Sequence, residues 1–146
     1  MQNNKLIFII LLTVLSFPLM AENSTKADGY TIHHNAMTTD TLSATVAKAY
    51  GITRSRNRGM INISLIKDKA GTIGTSTPAN VEVNIKRLIG RTDKVEMREI
   101  REDHAIYYIG VFGIVSGEKL SFNIAVKPEG LDKTLKASIT QEFFSN

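Results

Sequence analysis

The chain has no cysteine, no tryptophan and only three prolines among its 146 residues, and aromatic side chains make up 7%. The missing cysteine excludes disulfides, thiolate metal centres, iron–sulfur clusters, thiol nucleophiles and a lipid-modified cysteine together. Scarce aromatics argue against a wide stacking platform for sugars or bases. Charge of one sign is also in short supply: 18 Lys and Arg face 14 Asp and Glu, a formal net of +4. No collagen-like or low-complexity tract occurs, and a hydrophobic share of 42% is too high for a disordered chain. The length fits one domain.

The longest hydrophobic run, Leu6 to Phe17, is interrupted only by Thr13 and Ser16. Lys5 precedes it, Pro18 breaks it, and Leu19-Met20-Ala21 ends it on a small residue. This three-part layout predicts a secretory signal peptide over residues 1–21, cleaved after Ala21. An uncleaved anchor is the competing reading. Spanning ~30 Å of hydrocarbon takes about 20 apolar residues, and this run is shorter, so no stable membrane insertion is expected after cleavage. Residues 22–146 then form a single domain large enough to fold on its core alone. In an oxidising compartment a cysteine-free chain avoids mispairing, and the expected location is a bacterial periplasm.

The remaining chain reads as about seven strands with one helical interruption. Tyr30 to His34 suits a first strand. Asp40 is a plausible cap for a short helix in which Leu42, Val46 and Ala49 recur at helical spacing before Gly51. Arg54 to Gly59 is a polar turn, followed by a strand in which Ile61, Ile63 and Leu65 share a side. Residues 70–79 form a loop, and Val81, Val83 and Ile85 alternate with polar neighbours. From Val95 to Arg101 the phase is imperfect, since Val95 and Met97 share a parity that Ile100 does not, and a bulge would reconcile them. Ala105 to Val115 is the most apolar stretch, and Leu120 to Val126 and Leu135 to Phe144 complete the set. Short strands with hairpin-length links predict an all-β, immunoglobulin-like antiparallel sandwich with the helix between its first two strands. A parallel sheet would need more helices than one.

Candidate chemistry is sparse. His33, His34 and Met37 offer imidazole and thioether, the ligands left for a periplasmic copper site when thiolate is absent. Against this, adjacent residues of a strand point to opposite faces, so ordinary surface histidines and core methionines explain the same residues. No cofactor is expected. Arg54, Arg56 and Arg58 are the densest basic cluster. With no aromatic partner beside them and a mild net charge, an anionic envelope polymer or lipid headgroup suits them better than nucleic acid. The plain alternative is that one arginine pairs with a carboxylate and the others solvate the turn. Arg98 to His104 mixes both signs with a histidine, and a hydrolytic reading would have Glu99 or Asp103 orient His104 with Ser121 attacking. No Gly-x-Ser-x-Gly, His-Glu-x-x-His or phosphate-cradling glycine loop supports it, and cross-strand ion pairs account for these residues. Tyr107 and Tyr108 fall on opposite faces of one strand. Asn57 and Gly59 are expected to hold the arginine turn through left-handed backbone and side-chain hydrogen bonding, with Arg54 or Arg56 pinned by an acid such as Glu99.

Several segments together resemble an uncharacterised proteobacterial family of secreted proteins catalogued as a domain of unknown function (4426). They are Asn35, Ala47-Lys48-Ala49-Tyr50-Gly51-Ile52, Arg54-Ser55-Arg56-Asn57, Asn62-Ile63-Ser64, Arg98-Glu99-Ile100-Arg101-Glu102, Ala105-Ile106-Tyr107-Tyr108, Phe122, Pro128-Glu129-Gly130 and Gln141-Glu142-Phe143-Phe144. The resemblance spans Tyr30 to Phe144 and implies one periplasmic β-sandwich of a Gram-negative bacterium, with no activity or catalytic residue to carry over. The expected function is therefore non-enzymatic binding to an envelope protein or anionic polymer. Arg54, Arg56, Asn57, Arg58, Arg98, Glu99 and Tyr108 are the candidate contacts.

Overall fold

A computed structural model describes residues 23–144; the leader expected at 1–21 lies outside the described residues. Alternating apolar side chains build the strands β1 (Ser24–Ala27), β2 (Tyr30–Thr38), β3 (Arg58–Lys67), β4 (Thr75–Ser76) and β5 (Ala79–Lys86). β6 (Thr92–Val95), β7 (Met97–Glu102), β8 (Ala105–Gly113), β9 (Glu118–Pro128) and β10 (Leu135–Phe143) follow. One sheet runs β1-β2-β3-β8-β7 with β4 attached to β3, and the other runs β10-β9-β5-β6. Every pairing is antiparallel. Taking β2, β3, β5, β7, β8, β9 and β10 as strands A to G gives A-B-E-D facing C-F-G, the order of an immunoglobulin constant-type sandwich.

The seven expected strands are all present, and β1, β4 and β6 add short pieces that alternation alone does not reveal. The awkward phase between Val95 and Ile100 has a cause other than a bulge. Val95 pairs with Val83 in one sheet, and two residues later Met97 pairs with Gly110 in the other, so the chain changes sheets at Glu96. Gly110 makes the crossing possible: a Cβ there would stand 2.4 Å from Val95 Cγ1 and 2.6 Å from Met97 Sδ.

Between the sheets, Ile32, Ile61, Ile63 and Leu65 meet Val83, Ile85, Leu120, Phe122 and Val126, none more than 1% exposed. Phe112, Phe122 and Phe143 close one end, with ring centroids 5.2–6.3 Å apart. The β2–β3 link carries a 3-10 turn (Thr39–Thr41) and the helix α1 (Ala44–Ala49). Ser43 rather than Asp40 caps α1, its Oγ accepting the Val46 N–H at 3.2 Å. Leu42, Tyr50 and Ile52 from this link pack on Met37, Met60 and Ile109 on the outer face of the first sheet. β8 is therefore covered on both faces, which explains its nearly continuous apolar run. Among the described residues no helix is long and apolar enough to cross a membrane.

Candidate binding surface

The register brings several loops to one end of the sandwich. Arg58, the first residue of β3, lies opposite Gly113, the last of β8, and the Asn57 carbonyl accepts the Ile114 N–H at 3.0 Å. Phe143 at the end of β10 lies opposite Glu118 at the start of β9. Arg87, just past β5, reaches the Gly113 carbonyl at 3.0 Å and Glu118 at 2.5 Å. The arginine turn, the β5–β6 hairpin, the β8–β9 turn and the end of β10 thus share this end.

A buried threonine, not an asparagine, ties the arginine turn. Thr39 is fully buried, and its hydroxyl lies 2.9 Å from the Thr53 carbonyl and 3.1 Å from the Ser55 carbonyl. It also accepts the Ser55 N–H at 2.9 Å. Asn57 is exposed, its φ is not positive, and its N–H donates to Ser55 Oγ at 3.1 Å. The acid that meets the arginines is Asp40, not Glu99. Arg54 donates to the Asp40 carbonyl at 2.9 Å, and Arg56 approaches the Asp40 carboxylate at 3.9 Å. These contacts are solvent-exposed, where such pairs contribute little to stability.

The other candidates do not join this surface. Arg98 and Glu99 are neighbours on β7 and face opposite ways. Arg98 donates to the Tyr50 carbonyl, and Glu102 accepts the Tyr50 hydroxyl, so both clamp the end of α1 onto the outer face. Glu99 turns to the inner side, pairing with Arg101 at 2.5 Å and accepting the Tyr108 hydroxyl at 3.1 Å. Tyr108 is buried, and its oxygen accepts the Ala79 N–H at 2.8 Å, linking the two sheets. The Arg101 guanidinium, helped by Tyr108, holds the Glu99 carboxyl below its usual range. A groove of about 640 Å³ lies beside this pair, between Pro78–Asn80 and Lys127–Asp132. Its charges are largely matched internally, since Lys127 also pairs with Asp132 at 2.9 Å. Glu99 and Tyr108 hold strand edges together, and Arg98 holds the helix.

His33, His34 and Met37 are not gathered into one site. His33 lies opposite Ser64 on the outer face, and His34 lies opposite Ile63 on the core side. Met37 shares the face of His33 but stands four residues along an extended strand, about 13 Å away at the usual rise. His34 Nε2 is 3.1 Å from Thr25 Oγ1, and burial pushes its pKa down, which keeps the ring neutral as part of the β1–β2 hairpin.

The Domain of unknown function (DUF4426) family matches residues 24–146. This chain belongs to that family. A crystal structure of a DUF4426 family protein from Pseudomonas aeruginosa PAO1 is similar at 28% identity and a TM-score of 0.72, over 88% of this chain and 98% of that one. No curated protein matches. The family resemblance read from Tyr30 onward therefore extends through β1 to the start of the DUF4426 domain.

Four apolar residues at the arginine end escaped the sequence reading. Leu88 and Ile89 are 82% and 87% exposed at the tip of the β5–β6 hairpin, Val115 is 68% exposed in the β8–β9 turn, and Phe144 is 60% exposed after β10. A signal did exist for the pair. Arg87-Leu88-Ile89-Gly90-Arg91 puts two bulky apolar residues in a turn, where polar residues are the rule. The hairpin that carries them is braced: Arg87 bonds Asp93 at 2.8 Å as well as Glu118, and Arg91 bonds Asp93 at 2.6 Å.

Proposed function

We propose that this DUF4426 domain is a non-enzymatic binding module of the bacterial envelope that docks on an anionic envelope component through its arginine end. The observation that carries the reading is an excess of cations at one end of the sandwich. Arg54, Arg56, Arg58 and Arg91 stand at one end against Asp40 and Asp93, while Arg87 and Glu118 offset each other. At the other end Asp28, Asp68, Asp103, Glu129 and Asp132 are offset by Lys26, Lys67, Lys69, Lys127 and Lys133. A domain polarised in this way is turned by an anionic surface so that its cationic end meets it first. The hydrolytic reading loses its geometry as well. Ser121 bonds Thr140 at 3.1 Å on the outer face, and His104 sits in the β7–β8 turn at the opposite end.

Co-sedimentation of the protein with isolated envelope fragments, from low to high salt, tests the proposal. Each arginine near an anionic surface contributes about 1 kcal/mol. Replacing Arg54, Arg56 and Arg58 with alanine should therefore weaken binding by roughly 100-fold at low salt, and wild-type binding should fall as salt rises. Equal binding by both proteins, unaffected by salt, overturns it.

A further inference from the structure

We infer that the anionic component is a lipid bilayer surface and that Leu88, Ile89, Val115 and Phe144 enter it. The inference rests on the anionic-docking reading above and names its target. Four large apolar side chains left at 60–87% exposure and gathered at one end need an apolar medium to cover them. They protrude from three separate segments, the hairpin tip, the β8–β9 turn and the end of β10. Protruding apolar tips beside cations suit an anionic bilayer, whose acyl chains close around each tip while its headgroups meet the arginines. The cations fit the same geometry, because arginines beside the apolar tips meet headgroup phosphates while the tips pass below them. The hairpin is rigid enough to present its tip, since Arg87 is held at Asp93, Glu118 and the Gly113 carbonyl. The molecule supplies its own control. Ile73 is 98% exposed in the loop after β3, at the opposite end of the sandwich and away from the arginine turn.

Flotation with phosphatidylglycerol–phosphatidylethanolamine vesicles, compared with phosphatidylcholine vesicles, tests the inference on the exported protein and its variants. Retention on dextran sulfate, a soluble anionic polymer with no apolar phase, is measured in parallel. Wild type should float with the anionic vesicles only. Leu88→Ser with Ile89→Ser should lower vesicle binding at least tenfold and leave dextran sulfate binding unchanged, and Ile73→Ser should change neither. All these positions are exposed, and circular dichroism of each variant is to be recorded as the check on folding. Vesicle binding by the Leu88→Ser, Ile89→Ser protein at the wild-type level overturns membrane insertion and leaves the anionic-docking reading standing if arginine replacement still abolishes dextran sulfate binding. Arginine variants that bind both ligands like wild type overturn the docking reading itself.

Discussion

Thr39, Asn57 and Gly59 show how the arginine turn is held. Thr39 is fully buried with its hydroxyl among the backbone groups of Thr53 and Ser55, so removing it strands polar atoms out of reach of water. Thr39→Val should cost about 1–3 kcal/mol, the range for a buried partner left unsatisfied. Asn57 is exposed and contributes through its backbone, so Asn57→Ala should stay within about 0.5 kcal/mol. Gly59 does not serve a left-handed turn. Its φ is not positive, and a Cβ there would lie 2.3 Å from the Phe112 ring. Glycine at this site lets β3 pass close to an aromatic side chain of the strand beside it. Urea denaturation of the Thr39 and Asn57 variants decides between the two anchors. Equal midpoints would return the role to neither side chain.

At the scale of elements, the β5–β6 hairpin depends on one guanidinium. Arg87 bridges Asp93 on β6 and Glu118 on β9, which joins the hairpin to the β8–β9 turn. That contact, with help from Arg91, depresses the Asp93 pKa below its usual 3.8. A carboxyl depressed in the folded state stabilises the fold above its unfolded pKa and loses that contribution as pH falls through the folded value. Thermal midpoints should therefore fall on acidification below about pH 4. The acid limb of Asp93→Asn should be shallower than that of wild type, and superimposable limbs would remove Asp93 from the account. The helix α1 shows a related dependence. Six residues are too few to hold a helix alone, and Arg98 and Glu102 fix its end by way of Tyr50.

For the whole molecule, topology sets the folding speed. β3 pairs with β8 in a register that couples Arg58 to Gly113, and β5 pairs with β9 from Ala79 to Pro128. Closing such long loops costs entropy before the contacts form, so sandwiches of this order fold in milliseconds to seconds. Stopped-flow refolding from urea should give that range, and a microsecond phase carrying the full amplitude would contradict it. The same topology gathers the arginine turn, the apolar hairpin tip and the end of β10 at one end.

The strands were legible in the residues themselves. Val81, Val83 and Ile85, and Leu120, Phe122, Ile124 and Val126, alternate because one side of each strand is buried, and that is a local property. Gly51 closing the helix and the turn at Pro128-Glu129-Gly130 were legible for the same reason. Period-two alternation reports which side of a strand is inward, but not which strand lies beside it. The change of sheet at Glu96 therefore looked like a bulge, and Arg98 and Glu99 looked like one site although they face apart. The exposed Leu88 and Ile89 acquired meaning only when pairing set them beside Val115, Phe144 and the arginine turn. Those neighbours come from segments dozens of residues apart, and only burial shared across the two sheets decides which of them meet.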